Sequence, residues 1–136
     1  MPALRDLTRS AGVAILLALA VGLATGSYLK KSRTARERAT ELTGGDPERG
    51  GAHMVRYGCS ACHRTPGLWP ASEGVGPPLA GLSERLYIGG VLFNTPANLV
   101  AWIVDPRAID PLTAMPKTGI NEAEARDIAA YLYSTQ

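Results

Sequence analysis

Hydrophobic positions are concentrated near the start of this 136-residue chain. Residues 11–29 (AGVAILLALAVGLATGSYL) contain no charged residue. As a helix this run would be about 28 Å long, close to the hydrocarbon thickness of a bilayer. The pattern predicts a membrane span or a signal peptide, because two arginines precede it and small residues lie near its end. Its length favours a retained anchor, which we assign to residues 1–29.

The segment that follows, residues 30–45, is polar and charged. Its composition from position 30 to 42 (KKSRTARERATEL) favours helix, so the anchor helix is expected to continue into solvent as a stalk. Gly44 and Gly45 should end that helix. We interpret residues 30–45 as a linker without chemistry of its own.

Three further helices are predicted within residues 46–136. Asp46-Pro47 and Thr95-Pro96 each place a capping residue before a proline at the first helical position. Asn121 and Glu124 have the spacing of a capping box. Apolar residues then follow at helical spacing (Leu99, Val100 and Ile103; Ala125, Ile128, Ala129 and Leu132).

The rest of this region is predicted to be loop. Residues 64–82 and 110–116 are rich in glycine and proline, residues 92–95 read as a turn, and Asp105-Pro106 should end the helix before it. No segment alternates strictly enough to predict a strand. Residues 46–136 are therefore expected to form one small all-α domain.

The distribution of charge along the chain argues against one class of function, nucleic-acid binding. Residues 1–45 carry seven Lys/Arg against three Asp/Glu, whereas residues 46–136 carry seven against nine. The basic excess lies beside the apolar segment and not on the domain, so nucleic-acid binding finds no support.

The main chemical signature is a C-x-x-C-H motif, Cys59-Ser60-Ala61-Cys62-His63. This spacing is typical of covalent c-type haem attachment. Each thiol can add to one vinyl group on a haem edge, and the histidine then becomes a ligand of the iron. We expect one haem c, linked through Cys59 and Cys62 and bound by His63.

Cysteine and histidine at this spacing also occur in three other kinds of site. A thioredoxin-like redox pair requires a βαβ context, which the flanking Gly, Pro and Ala-rich segments do not predict. A structural zinc site needs four ligands, and only His53 could join the three residues of the motif. A plain disulfide, or two buried thiols, is the remaining alternative.

A haem held by His63 needs either a second protein ligand, as in an electron carrier, or an open face, as in a binder or catalyst. Met115 is the best-placed second ligand, because Pro111 and Pro116 restrict its loop. His53 and Met54 precede the motif in a helix and would have to fold back across the ring.

Taken together, residues 46–136 resemble a class I cytochrome c of the monohaem, membrane-anchored bacterial kind. The resemblance rests on the C-x-x-C-H motif, the segment 76–82 (GPPLAGL), Asp105-Pro106 with Met115 nine residues later, and a terminal helix bearing Tyr131. It implies a small cytochrome c fold in which the first and last helices cross around the haem. Gly50 or Gly51 would face Tyr131 at that crossing.

The resemblance also implies roles for individual residues. The carbonyl of Pro77 would accept the Nδ1 proton of His63, and Leu79 would pack on the haem. Arg85 and Thr113 would contact the haem propionates, and Trp102 would lie near the methionine sulfur. Simpler interpretations remain for two of them, because Arg85 could be a surface charge and Trp102 a core residue.

The expected location follows from the haem and not from the charge pattern. Five Lys/Arg follow the span within ten residues and two precede it, which alone would place the domain in the cytoplasm. In the families that this motif resembles, haem is attached outside the cytoplasmic membrane. We therefore expect a single-pass protein of the bacterial cytoplasmic membrane with its haem domain on the periplasmic side.

The expected function is that of a single-electron carrier and not an enzyme, with no small-molecule substrate. Its partners would be redox proteins such as a quinol-oxidising complex and a terminal oxidase. Long-range steering should be weak, because only Lys117, Arg64 and Arg107 lie near the ligand-bearing segments. Alternatives are a fixed cytochrome c subunit that delivers electrons into an oxidase or dehydrogenase, or a haem enzyme or gas sensor with an open distal site.

Overall fold

The computed structural model describes residues 2–68 and 74–135, without the side chains of residues 2–11. The middle of the loop predicted over residues 64–82 therefore lies outside the described residues. The chain divides into two units, Met1–Thr34 and Ala35–Gln136.

The first unit is helical. Helix α1 runs over Pro2–Thr43 and passes from the first unit into the second. Among the described residues, one helical stretch, Gly12–Thr43, is long and apolar enough to cross a membrane by length and composition, and its most apolar window is not buried in the protein. Side chains such as Leu16, Leu17 and Leu23 are exposed, which suits contact with lipid.

The predicted stalk is helical, but its second half does not stand apart from the domain. Helix α1 ends at Thr43, next to Gly44 with φ +68°, as the glycine pair predicted. The compact second unit, however, begins at Ala35 and not at position 46. Ala39 and Thr43 are only 1% and 7% exposed because, four residues apart, they share one helix face, and that face is packed.

The second unit is built on the crossing of α2 (Pro47–Arg56) and α5 (Glu122–Ser134). Both helices begin at the positions that their capping residues, Asp46 and Asn121, predicted. The carboxylate of Asp46 accepts the Glu48 N–H at 2.8 Å, and Asn121 and Glu124 form both bonds of the capping box. Correct local capping therefore places the two helices that frame the domain.

Two glycines allow α2 and α5 to approach closely. A Cβ on Gly50 would lie 2.0 Å from the carbonyl oxygen of Asp127, and one on Gly51 would lie 3.0 Å from the Tyr131 ring. The predicted contact of these glycines with Tyr131 is confirmed. No other residue type fits at position 50 without moving a helix.

Helices α3 (Pro96–Val104) and α4 (Pro106–Ile109) form the other side of the core. The prediction that Asp105-Pro106 ends α3 is confirmed, but the same pair also begins α4, which was not predicted. The Asp105 carboxylate accepts the Ala108 N–H at 3.2 Å. The same Asp-Pro pattern predicted the start of α2, and here it begins a helix of one turn.

A small hairpin corrects the prediction that the domain has no strand. Strand β1 (Tyr87–Ile88) pairs antiparallel with β2 (Leu92–Phe93) across Gly89 and Gly90, whose φ angles are +56° and +78°. The turn predicted over residues 92–95 thus begins as a strand. Two-residue strands are too short to show alternation. The all-α fold class is confirmed, because helices α1–α5 are the main elements of the described residues.

Candidate haem site

The C-x-x-C-H motif forms a compact turn directly after α2. Gly58 has φ +68°, so the chain leaves the helix in a left-handed conformation that favours glycine. Residues Cys59–Ala61 then form a single 3₁₀ turn, and the His63 N–H donates to the carbonyl of Cys59 at 3.0 Å. The turn brings both thiols and the imidazole into one short segment.

The two thiols are free and half-buried. They are not joined in a disulfide, and burial raises the pKa of the Cys59 thiol. Within the described residues, no group of three or more His, Cys, Asp or Glu side chains is arranged to hold a metal ion. The described part of the chain thus lacks the ligand set that a structural zinc site requires.

The imidazole of His63 is held by the loop that follows the motif. Its Nδ1 lies 2.7 Å from the carbonyl oxygen of Pro77. These are the two atoms that the resemblance to class I cytochromes c predicted to be bonded. A carbonyl can only accept, so Nδ1 carries the proton, and in the neutral ring Nε2 then keeps a free lone pair. The ring is therefore in the tautomer that a metal ligand needs.

Gly76 makes this contact possible. A Cβ at position 76 would lie 2.6 Å from His63 Cε1 and 2.7 Å from Nδ1. The Gly76 N–H also donates to the carbonyl of Cys62 at 2.8 Å. The sequence indicates a loop at Gly76 but not this role, and the one signal for it is the position of Gly76 directly before Pro77.

The segment after Pro77 is anchored by Arg85. The guanidinium donates to the carbonyls of Pro78 and Ala80, the latter at 2.9 Å. Leu79 is half-buried against the core, and its N–H donates to the carbonyl of Arg64 at 2.8 Å. Arg85 is thus not an isolated surface charge, because it orders the loop that holds His63.

Asn94 is a further contributor that the sequence did not indicate. Its side-chain amide donates to the carbonyls of Leu82 and Arg85, at 2.7 and 2.9 Å, and its oxygen accepts from the Tyr133 hydroxyl at 2.7 Å. These bonds connect the Arg85 segment to α5. No motif in the sequence distinguishes this asparagine from others in loops.

Met115 lies half-buried in an ordered loop. The Asp110 carboxylate accepts from the Leu112 N–H at 3.0 Å, and the Asp110 carbonyl accepts from the Thr113 N–H at 3.1 Å. The Thr113 hydroxyl oxygen accepts from the Met115 N–H at 3.3 Å. The side chain of Met115 packs against the core cluster, so the loop presents the thioether on the protein's inner side.

Trp102 occupies a core position. Its side chain is part of the buried cluster, and a Cβ on Gly89 would lie 2.7 Å from its ring. The hairpin turn is therefore packed directly on the indole. Trp102 therefore has the contacts of a core residue.

The chemistry of these residues fits a covalently attached haem. The site offers two free thiols on one turn and an imidazole whose Nε2 is available. The apolar side chains of Leu68, Leu79 and Met115 are only partly buried at the edge of the core. Half-buried apolar groups of this kind are what a flat apolar cofactor would cover.

Comparison with known proteins identifies the class. The sequence profile of the family Cytochrome c matches residues 47–136. The chain therefore belongs to the cytochrome c family, and its domain is a haem c domain for electron transfer, as the resemblance to class I cytochromes c implied.

A stretch of 77 residues is 35% identical to a protein named cytochrome c oxidase subunit 2 from Alkalihalophilus pseudofirmus. The match covers 56% of this chain and 22% of that protein, so the chain spans about a fifth of the length of this curated relative. No solved structure matches the chain significantly.

Proposed function

We propose that this chain is a single-electron carrier with one haem c, linked through Cys59 and Cys62 and ligated by His63 and Met115. The observation that carries the proposal is the 2.7 Å contact between His63 Nδ1 and the Pro77 carbonyl, which leaves Nε2 for the metal. When bound, the haem supplies a reversible one-electron couple at its iron.

The residues around the ligands have distinct tasks in this proposal. Pro77 fixes the plane of the His63 ring and makes it more basic. Thr113, whose oxygen already accepts from the Met115 N–H, has its own proton left to donate to a propionate. Arg85 contributes positive charge beside the same group, Leu79 covers the ring, and Trp102 supports the methionine side of the site.

Two protein ligands leave no open position on the metal. A closed site of this kind favours electron transfer over substrate chemistry, because the ligand set is unchanged when the electron arrives or leaves. A thioether ligand favours the reduced state and raises the potential. The proposal is therefore a carrier and not an enzyme.

The proposed location is the bacterial cytoplasmic membrane, with one span and the haem domain on the periplasmic side. The apolar stretch within Gly12–Thr43 supports the span. The proposed partners are a quinol-oxidising complex as donor and a terminal oxidase as acceptor. Confinement to one membrane raises the effective concentration of such partners without requiring strong electrostatic steering.

A second candidate is a fixed cytochrome c subunit that delivers electrons into an oxidase or dehydrogenase. The relative from Alkalihalophilus pseudofirmus favours it, because that protein is named as an oxidase subunit. Extraction in a mild detergent separates the two candidates. A shuttle leaves the large complexes, whereas a fixed subunit remains with one of them at constant stoichiometry.

The test of the proposed site combines intact mass with ligand binding. The membrane-extracted protein should exceed the polypeptide mass by one haem, and its reduced form should not bind carbon monoxide readily at neutral pH. Met115→Ala should bind carbon monoxide and lose the sulfur-to-iron charge-transfer band, whereas Met54→Leu, in the buried core, should do neither. Ready binding by the unaltered protein, with no spectral change in Met115→Ala, would rule the carrier out.

A further inference from the structure

A cluster of positive charge follows the apolar stretch of α1. Residues 30–38, which we call the basic stalk segment, contain one acidic residue, Glu37, and five exposed basic residues: Lys30, Lys31, Arg33, Arg36 and Arg38. Five positive charges against one negative charge give the segment a net charge of +4. Like charges this close repel one another, so the segment gains free energy beside any surface of opposite charge.

The protein itself neutralises only part of this charge. Arg36 forms an ion pair with Glu48 on α2, with 3.1 Å between Nη1 and Oε1. Both side chains are more than half exposed, so the pair is weak. Even if Glu37 and Glu48 each cancel one cation, three of the five positive charges remain without a counterpart.

The position of the segment indicates where an opposite charge is within reach. Lys30 directly follows the apolar run of residues 11–29, and α1 continues through both without a break. At about 1.5 Å of rise per residue, Lys30, Lys31 and Arg33 lie within about 6 Å of the end of that run along the helix axis. A bilayer has a headgroup layer about 5–8 Å thick on each side of its hydrocarbon. If the run spans the bilayer, these three cations therefore lie in the headgroup layer.

The cluster is not explained as a topology signal. Positive charge is typical of the cytoplasmic side of a span, whereas the proposed location places this segment on the periplasmic side together with the haem domain. Acidic side chains of another protein would have to enter the headgroup layer to reach Lys30 and Lys31. Lipid phosphates are already there, so charge complementarity favours a lipid surface.

We propose that the basic stalk segment is a binding surface for anionic phospholipid headgroups, with Lys30, Lys31 and Arg33 in contact with their phosphates. This inference rests on the proposed function, because it requires the membrane span proposed there. Ammonium and guanidinium groups each donate several hydrogen bonds, which phosphate oxygens accept. The protein should therefore collect anionic lipid around its span in preference to lipid without net charge.

The experiment measures this preference on the full-length holoprotein. The protein is equilibrated in detergent with equal amounts of phosphatidylglycerol and phosphatidylcholine that carry the same acyl chains. Native mass spectrometry then gives the ratio of the two lipids on the intact protein. Cations near a membrane surface attract anionic lipid about fivefold each, so phosphatidylglycerol should exceed phosphatidylcholine at least about fivefold. Added salt should reduce the ratio, because it screens the attraction.

Paired variants separate charge from position. Lys30→Gln/Lys31→Gln removes two of the contacting cations and should lower the ratio at least about threefold. Lys30→Arg/Lys31→Arg keeps both charges and should keep the preference. Arg64→Gln/Arg107→Gln is the matched control, because it removes the same charge from two exposed positions of the haem domain. It should leave the ratio unchanged.

Three results would overturn the inference. The first is equal binding of the two lipids by the unaltered protein, and the second is a preference that Lys30→Gln/Lys31→Gln does not reduce. The third is an unchanged lipid ratio in that variant together with loss of copurification with a large redox complex, which would show that the segment binds an acidic protein.

Failure of the proposed function is recognised by other measurements. Release of the unaltered protein from membranes by an alkaline wash would show that the span is wrong, and the lipid surface with it. An unaltered spectrum in Met115→Ala would contradict the proposed metal site without affecting the lipid ratio.

Discussion

The Nδ1 atom of His63 and the carbonyl oxygen of Pro77 are 2.7 Å apart, although 14 positions separate the two residues in the chain. The approach depends on Gly76, because a Cβ there would lie 2.6 Å from the imidazole. The loop thus orients the His63 ring before any metal is bound. This arrangement makes position 76 a sensitive test of the site.

Gly76→Ala should displace the imidazole or the loop and break the bond to Pro77. Loss of an acceptor at Nδ1 makes the ring less basic, so the oxidised metal is stabilised less and the reduction potential should rise. A redox titration of the holoprotein measures this shift. Val75→Ala is the control, because Val75 is exposed, and an unchanged potential in Gly76→Ala would contradict the argument.

Gly50→Ala should destabilise the domain strongly. The added Cβ would lie 2.0 Å from the Asp127 carbonyl oxygen, which is backbone of α5 and cannot move without shifting the helix. We expect a loss of at least about 3 kcal/mol in the free energy of unfolding, at the upper end of single substitutions. Denaturant unfolding of the holoprotein gives the value.

Gly51→Ala offers a graded comparison at the same crossing. Its Cβ would meet the Tyr131 ring at 3.0 Å, and a ring can rotate, so a smaller loss of about 1 kcal/mol is expected. Gly26→Ala in α1, where a Cβ would meet nothing within 4 Å, should leave domain stability unchanged. Equal stability of the Gly50 and Gly26 variants would exclude a tight helix crossing.

Acid should destabilise the domain in part through Asp127, which is only 5% exposed. Burial raises the pKa of this carboxyl, but hydrogen bonds from Arg49 and from the Asp46 N–H outweigh it, so the pKa lies below its ordinary value. The carboxylate therefore stabilises the fold above the unfolded-state pKa of about 3.9, and that contribution is lost as pH falls through the native pKa.

Asp127→Asn tests this dependence. At neutral pH the variant should lose about 1–3 kcal/mol of stability, because the bonds from Arg49 and Asp46 weaken. Its stability should fall less steeply than that of the unaltered protein below about pH 4. Glu37→Gln, at an exposed position on α1, is the control, and parallel stability profiles for all three proteins would contradict the prediction.

Electron transfer to an acidic soluble partner should depend weakly on salt. Lys117 is neutralised by Asp105, which leaves Arg64 and Arg107 as the exposed cations near the ligand-bearing segments. We expect the second-order rate constant to fall less than about threefold between low and physiological ionic strength, far below the range of strongly steered pairs. Stopped-flow mixing measures it.

A Lys117→Gln variant is the matched control for this rate. Because the lysine is already paired, its removal should change the rate constant less than about twofold at either salt concentration. A fall of more than about tenfold with salt, or a large effect of Lys117→Gln, would show that electrostatic steering is substantial.

The long apolar helix near the N-terminus and the helix starts at Asp46, Thr95 and Asn121 were predictable, and the C-x-x-C-H motif was recognisable, because each depends on residues within a few positions of one another. Capping bonds, a run of apolar residues and thiols three residues apart are local properties. The Asp-Pro capping pattern also occurs at Asp105-Pro106, where this pair ends α3 and begins α4.

The features that the sequence did not predict depend on residues far apart in the chain. The packing of Ala39 and Thr43 and the Asn94 bonds to the Arg85 segment are examples. Neither has a local pattern, because burial and hydrogen-bond partners are set by which segments meet.

The sequence by itself determined that Cys59, Cys62, His63 and Met115 lie in the segments between capped helices. Only the tertiary structure decided that the Pro77 carbonyl meets His63 and that Gly76 leaves room for the ring. The physical reason is that a hydrogen bond requires two atoms within about 3 Å, and the folding of the intervening loop sets that distance.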